Sequence, residues 1–76
     1  MKRIIAMIRL RVKEIAQQKG MSMTRLSRLA DTNYKTIKAI FDDPYREVTT
    51  TTLGKIASAL GVPVTDLIED VKERGS

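Results

Sequence analysis

The sequence predicts a compact all-α domain of five short helices, and three of its features carry that prediction. Apolar residues recur at i, i+3, i+4 spacing in separate short windows, as they do where one face of a helix is buried. Between the windows stand residues that stop or cap helices: Gly20, Asp31-Thr32-Asn33, Asp42-Asp43-Pro44 and Gly61-Val62-Pro63. The chain has 76 residues with no cysteine and no histidine, so neither a disulfide nor the commonest kind of zinc site can replace a packed core. Residues 1–76 read as a single domain without repeats, low-complexity tracts or linkers, and a helical bundle is the simplest way for so few residues to bury one core.

The first ten residues, MKRIIAMIRL, fit two periods. Ile8, Val12 and Ile15 form a helical stripe, while Ile4, Ala6, Ile8, Leu10 and Val12 alternate at the strand period. A helix is expected from about Arg11, and a short N-terminal β-strand over residues 7–11 stays open; a start at Met7 would leave residues 1–6 as a tail. Gly20 stands where a left-handed C-cap residue is wanted, so helix 1 should end near Lys19. Helix 2 runs from Ser22 or Met23 to Ala30, with Leu26, Leu29 and Ala30 assigned to its inner face and Thr24, Arg25 and Arg28 to its outer one. Asp31, Thr32 and Asn33 compete for backbone hydrogen bonds through their side chains, which ends this helix and makes Asn33 the N-cap of the next. Helix 3 extends to Phe41 with Ile37, Ile40 and Phe41 on one side.

Pro44 then disfavours helix at Asp43, and a loop of about ten residues follows. Within it Arg46-Glu47-Val48-Thr49 is β-compatible and is the expected partner of an N-terminal strand, in the same chain or a second one. Thr49 should cap helix 4, whose buried face is Leu53, Ile56, Ala57 and Leu60; Gly61 should end it, with Val62 against Ala57. Pro63 suits the start of helix 5, to which Val64, Leu67, Ile68 and Val71 give a stripe. Residues 72–76 should fray. Helices 1, 4 and 5 would wall the core behind the pair at 22–41.

Charge is unevenly placed. Residues 1–55 hold 12 Lys and Arg against 5 Asp and Glu, whereas residues 56–76 hold 2 against 4. A basic part of this kind suits a polyanionic partner, because neutralising phosphates releases condensed counterions, although solubility alone accounts for a comparable charge in many small domains. Placed at 100° intervals, the direction opposite Ile37, Ile40 and Phe41 holds Lys35, Lys38, Ala39 and Asp42, with Tyr34 in the exposed first turn. That surface has long donors near its start and a small residue at Ala39. It is the arrangement a recognition helix needs to reach base edges without bulk where the backbone approaches the groove. Each residue alone reads equally well as a solvated face; the combination of helix, three-residue turn and cationic second helix favours binding of double-stranded DNA.

Residues Lys19-Gly20-Met21-Ser22 leading into Leu26, Leu29-Ala30 through Ile37, and Leu53 through Val62 followed by Asp66-Leu67-Ile68 resemble the Cro/C1-type (lambda-repressor-like, XRE-family) helix-turn-helix regulators over roughly Met7 to Glu69. The opening MIRLRV and the loop at Asp42 to Val48 look like a subgroup of small stand-alone bacterial members. The resemblance implies a five-helix domain whose third helix enters the major groove, usually as a homodimer on a two-fold-related site. Position by position it assigns Tyr34, Lys35, Lys38 and Ala39 to base reading, and Asn33 to the preceding cap. Candidate contacts to the DNA backbone are Ser22, Thr24, Arg25, Arg28, Asn33, Thr36, Arg46 and Lys55. The family often has Gln where this chain has Met23, which cannot donate a hydrogen bond, so that contact passes to Ser22, Thr24 or Arg25. Its turn usually has Gly where this chain has Asp31, and Asp42, unusual beside a phosphate, is expected to cap.

Two other classes compete with a cytoplasmic transcriptional regulator. A protein-interaction or antitoxin-type module, with DNA binding secondary or lost, would use Met21, Met23 and Tyr45 as an adaptable patch, although ordinary packing is the favoured reading of the two methionines. An enzyme would need Asp42, Asp43 and Glu47 to hold Mg²⁺, but such a loop is more often solvated. No cofactor is implied, and the longest apolar run, Ile4 to Ile8, is far too short to span a membrane and is followed by no leader cleavage site.

Overall fold

Among the described residues, four helices and a two-stranded antiparallel sheet make up the fold. The computed structural model describes residues 6–72, and the expectations of a tail before Ala6 and fraying after Lys72 lie outside the described residues. The order is β1 (Ala6–Leu10), α1 (Val12–Gln18), α2 (Met23–Leu29), α3 (Tyr34–Asp42), α4 (Thr50–Leu60), a 3₁₀ turn (Val64–Leu67) and β2 (Ile68–Lys72). Leu10, Val12, Ile15 and Ala16 of the N-terminal part, Leu26 and Ala30 of the α2 segment, Ile37 and Ile40 of α3, and Leu53, Ile56, Ala57 and Leu60 of α4 are buried together with Leu67. No polar or charged residue is buried among the described residues. The core therefore draws its stability from apolar area alone.

α4 follows its pattern residue by residue. Thr49 Oγ1 accepts from the Thr52 amide at 3.2 Å, and all four residues of the expected stripe are buried. Gly61 ends the helix at φ 68°; its N–H donates to Ser58 O at 3.2 Å and that of Val62 to Ala57 O at 3.1 Å. This is a Schellman motif, and Val62 packs on the core beyond it. α1 ends in the same way, with Gly20 at φ 63° donating to Gln17 O and Met21 to Ala16 O.

The expected fifth helix is absent. Only one 3₁₀ turn forms after Pro63, burying Leu67 but leaving Val64 40% exposed, and the chain then extends as β2. Val64, Thr65, Ile68 and Val71 are β-branched and favour strand when a partner is present. β1 supplies that partner, in the register Leu10↔Ile68, Arg9↔Glu69, Ile8↔Asp70, Met7↔Val71 and Ala6↔Lys72. The open choice at the N-terminus thus resolves as a strand, but the expected pairing with Arg46 to Thr49 does not occur. That loop contributes one bond instead, the Leu10 N–H donating to Pro44 O at 2.7 Å, while the Arg11 N–H donates to Leu67 O at 2.7 Å. Pairing with β2 sets Arg9 directly opposite Glu69, a favourable cross-strand pair.

Arg9 joins three elements. Its guanidinium donates to the Glu14 carboxylate in α1 and, at 3.3 Å, to Glu69 in β2. Partial burial pushes the Glu14 carboxyl up, but the hydrogen bond from Arg9, a backbone N–H and the charges of Arg9 and Arg11 outweigh it, so its pKa lies below the ordinary 4.5. A carboxyl lowered on folding stabilises the protein at pH values above its unfolded pKa, and that contribution is lost as the pH falls through the lower folded value. Because both side chains remain about one-third exposed, it is expected to amount to no more than about 1 kcal/mol. Glu14→Gln should therefore lower stability slightly at neutral pH and flatten its decline between about pH 5 and 3, as read by denaturant melts across that range.

Candidate nucleic-acid interface

The surface formed by α2, the turn and α3 is set by hydrogen bonds that its own sequence supplies. Ser22 Oγ accepts from the Arg25 amide at 3.1 Å and starts α2. At the far end Asp31 takes a left-handed backbone, φ 49°, with its N–H donating to Arg28 O at 3.2 Å and that of Thr32 to Ser27 O at 3.0 Å. The turn is thus a third Schellman motif, built on Asp where Gly is the usual residue. Asn33 Oδ1 accepts from the Lys35 amide at 2.8 Å, and Asn33 O accepts from Thr36 and Ile37 at 3.0 and 3.2 Å. Two caps and one left-handed residue thus set the direction in which α3 leaves α2, which packs against it.

Burial then selects the face of α3. Ile37 and Ile40 are fully covered, and Phe41 is half-buried against the core. Lys35, Lys38 and Asp42 are exposed, Tyr34 is 43% exposed, and Ala39 and Thr36 are half-buried. Tyr34, Lys35 and Lys38 are therefore brought onto one open surface with Ala39 at its margin. On α2, Ser22, Thr24, Arg25 and Arg28 are exposed, and Asn33 is exposed at the turn. Arg46 and Lys55 are also exposed but belong to separate elements, the α3–α4 loop and α4. Arg25, Arg28, Lys35, Arg46 and Lys55 form no salt bridge among the described residues.

Two expectations need correction here. Leu29, assigned to the inner stripe of helix 2, is 54% exposed. Met23, Leu26 and Ala30 lie within about 60° of arc, and Leu29 falls outside it, so its i+3 spacing from Leu26 was not enough to bury it. Asp42 does not cap. Its carboxylate accepts from Lys38 Nζ at 2.8 Å, while it is Asp43 that ends α3, with its N–H donating to Ala39 O and its Oδ1 accepting from the Tyr45 amide at 3.1 Å. The Lys38–Asp42 pair was missed although its i, i+4 spacing was the available signal. The hydrogen bond and charge of Asp42 hold the Lys38 ammonium above the ordinary lysine pKa. Met21 and Met23 are half-buried against the core, the ordinary packing expected of them in preference to an exposed patch.

Asp42 and Asp43 thus have different partners, and no group of three His, Cys, Asp or Glu is placed to hold a metal ion among the described residues. Nor is any helix there long and apolar enough to cross a membrane. A family model, the Cro/C1-type helix-turn-helix DNA-binding domain, matches residues 11–73. The chain belongs to that family. Cro/C1-type domains are DNA-binding regulators and generally not enzymes. Among solved structures the chain is similar to the restriction-modification controller protein C.AhdI from Aeromonas hydrophila, with a TM-score of 0.68 at 23% identity over 74% of this chain and 83% of that one. At that identity the likeness shows the fold. No curated protein matches the chain significantly. Against the Cro/C1-type background, Asp31 is the local weak point of the turn: a left-handed backbone is unfavourable for a residue with a Cβ, and an acid at a helix C-terminus opposes the dipole. Asp31→Gly is expected to raise Tm by roughly 2–5 °C in a thermal melt.

Proposed function

We propose that this Cro/C1-type domain binds double-stranded DNA sequence-specifically as a small transcriptional regulator, acting as a homodimer with α3 in the major groove. The observation that carries the reading is the division of α3 into a face closed by Ile37 and Ile40 and an opposite face that presents Lys35, Lys38 and Tyr34. Lysine near the start of such a helix donates to guanine O6 and N7. Lys35 is the foremost candidate, since Lys38 already gives one hydrogen bond to Asp42. Ala39 and Thr36 border the reading surface, where small side chains allow close approach. Ser22, Thr24, Arg25 and Arg28 at α2, and Asn33 at the turn, would hold the phosphates that set register, with Arg46 and Lys55 as outlying contacts. The match to the Cro/C1-type family supports the regulatory part of the reading, and the likeness to a restriction-modification controller protein supports the fold on which it rests.

A module that binds a protein instead gains nothing from the packed methionines. Of its expected patch only Tyr45 is well exposed. Binding to a DNA duplex that weakens steeply between about 50 and 200 mM salt supports DNA as the partner, because phosphate contact releases counterions, whereas no duplex binding even at low salt supports a protein partner. A palindromic consensus from selection of random duplexes would support the two-fold arrangement. In the same selection Lys35→Ala is expected to lose the preference at one base position in each half-site and to weaken cognate binding by about 1–3 kcal/mol. An unchanged consensus would remove Lys35 from base reading.

A further inference from the structure

We propose that Asp42 is a positioning residue for base readout, holding the Lys38 ammonium in one place on the outer face of α3 and weakening its hold on arbitrary phosphates. The inference rests on the reading of α3 as the helix that faces DNA. Lys38 Nζ donates to Asp42 Oδ2 at 2.8 Å, and both side chains stay open, at 56% and 64% exposure. Stability does not explain an acid here. Asp42 is the last residue of α3, at the negative end of the helix dipole, and lysine preceding the acid at i, i+4 is the less favourable order. An exposed pair of this kind contributes little to folding. Nor does Asp42 close the helix, a task that falls to Asp43.

Its effect on a DNA-facing lysine is more specific. An ammonium on a four-carbon stem is a mobile point charge with three donors, and it is satisfied by almost any phosphate or base acceptor. With one donor engaged by Asp42, two remain, and the stem is confined to the ridge that Lys35, Lys38 and Asp42 share along the helix. A non-cognate complex relies on phosphate contact alone, so the Asp42 carboxylate opposes it. A cognate complex places base acceptors opposite the two remaining donors and recovers the loss. Asp42 therefore widens the gap between right and wrong sequences while lowering affinity in general.

Asp42→Asn, Asp42→Glu, Lys38→Ala and the double variant Lys38→Ala/Asp42→Asn test this in the full chain, with anisotropy titrations on the selected duplex and on a random duplex over a range of salt. Asp42→Asn should bind the random duplex more tightly, with a salt slope steeper by about 0.9. The ratio of cognate to random affinity should fall roughly tenfold, the scale of one well-placed base contact. Asp42→Glu, which also reaches Lys38 at i, i+4, should retain the ratio. Lys38→Ala should lose it, and the double variant should lose no more than Lys38→Ala does. If Asp42→Asn strengthens both duplexes by the same factor, Asp42 is background charge and the proposal is overturned. A wild-type chain that binds both duplexes equally, or neither, overturns the DNA-reading assignment as well, so the two failures are distinguishable.

Discussion

None of the four helices is long enough to persist alone in water. They have 7, 7, 9 and 11 residues, whereas isolated helices shorter than about 12–15 residues are marginal even with favourable composition. Each exists because one side of it is covered by the others. Leu26, Ile37 and Ile56, fully buried on three different helices, are the common ground of that arrangement. With no disulfide available and no polar group in the core, every element depends on the same apolar contact. The exposed face of α3 is what remains once this demand is met, so the position of the candidate interface is a by-product of packing and not a separate feature of the chain.

Local hydrogen bonds convert that packing into a defined direction. Schellman motifs close α1, α2 and α4, and side chains of Ser22, Asn33 and Thr49 cap the starts of α2, α3 and α4. None contributes more than about 1–2 kcal/mol. Their value lies in geometry: a rigid turn at Asp31 and Asn33 keeps the side chains of α2 and α3 in a constant relation, which is the condition for reading a rigid duplex. The charges around it are arranged differently. Arg25, Arg28 and Lys35 stand without an acidic partner among the described residues, while Arg9 and Lys38 are each held by carboxylates. These described cationic residues therefore fall into two groups, those that tie the protein together or are restrained, and those available to a partner.

What was legible in the sequence follows the range of the interactions involved. α4 could be read in full because its cap, stripe and closing glycine lie within thirteen consecutive residues, Thr49 to Gly61, and each acts locally. The same holds for Asn33 and for the open face of α3, which burial of Ile37 and Ile40 dictates. The fifth segment could not be read in this way. Val64, Leu67, Ile68 and Val71 satisfy the helical period, yet whether they form a helix is decided by β1 at the other end of the sequence, and periodicity carries no information about that partner. Leu29 shows the limit of spacing on a single helix, since two residues three apart share a face only if the buried arc is wide enough to include both. The Lys38–Asp42 pair obeys the i, i+4 rule, but an aspartate at the end of a helix also suits a cap, and spacing alone does not choose between the two. Which bases or phosphates the open face meets depends on a molecule outside the chain.

The pairing of β1 with β2 joins residues from the two ends of the described chain, Ala6 to Lys72. α1 also packs on α3 and α4, and α2 on α4, but the pairing of the strands must close a loop that contains all four described helices. Its entropy is the largest loop-closure cost in the molecule, and two short strands have little to offset it until the core beneath Leu10 and Leu67 exists. The sheet is therefore a clasp whose closure draws on the helical core beneath it. The caps and the turn of the outward-facing helical pair lie wholly inside the loop that the clasp encloses, and their hydrogen bonds involve neither strand.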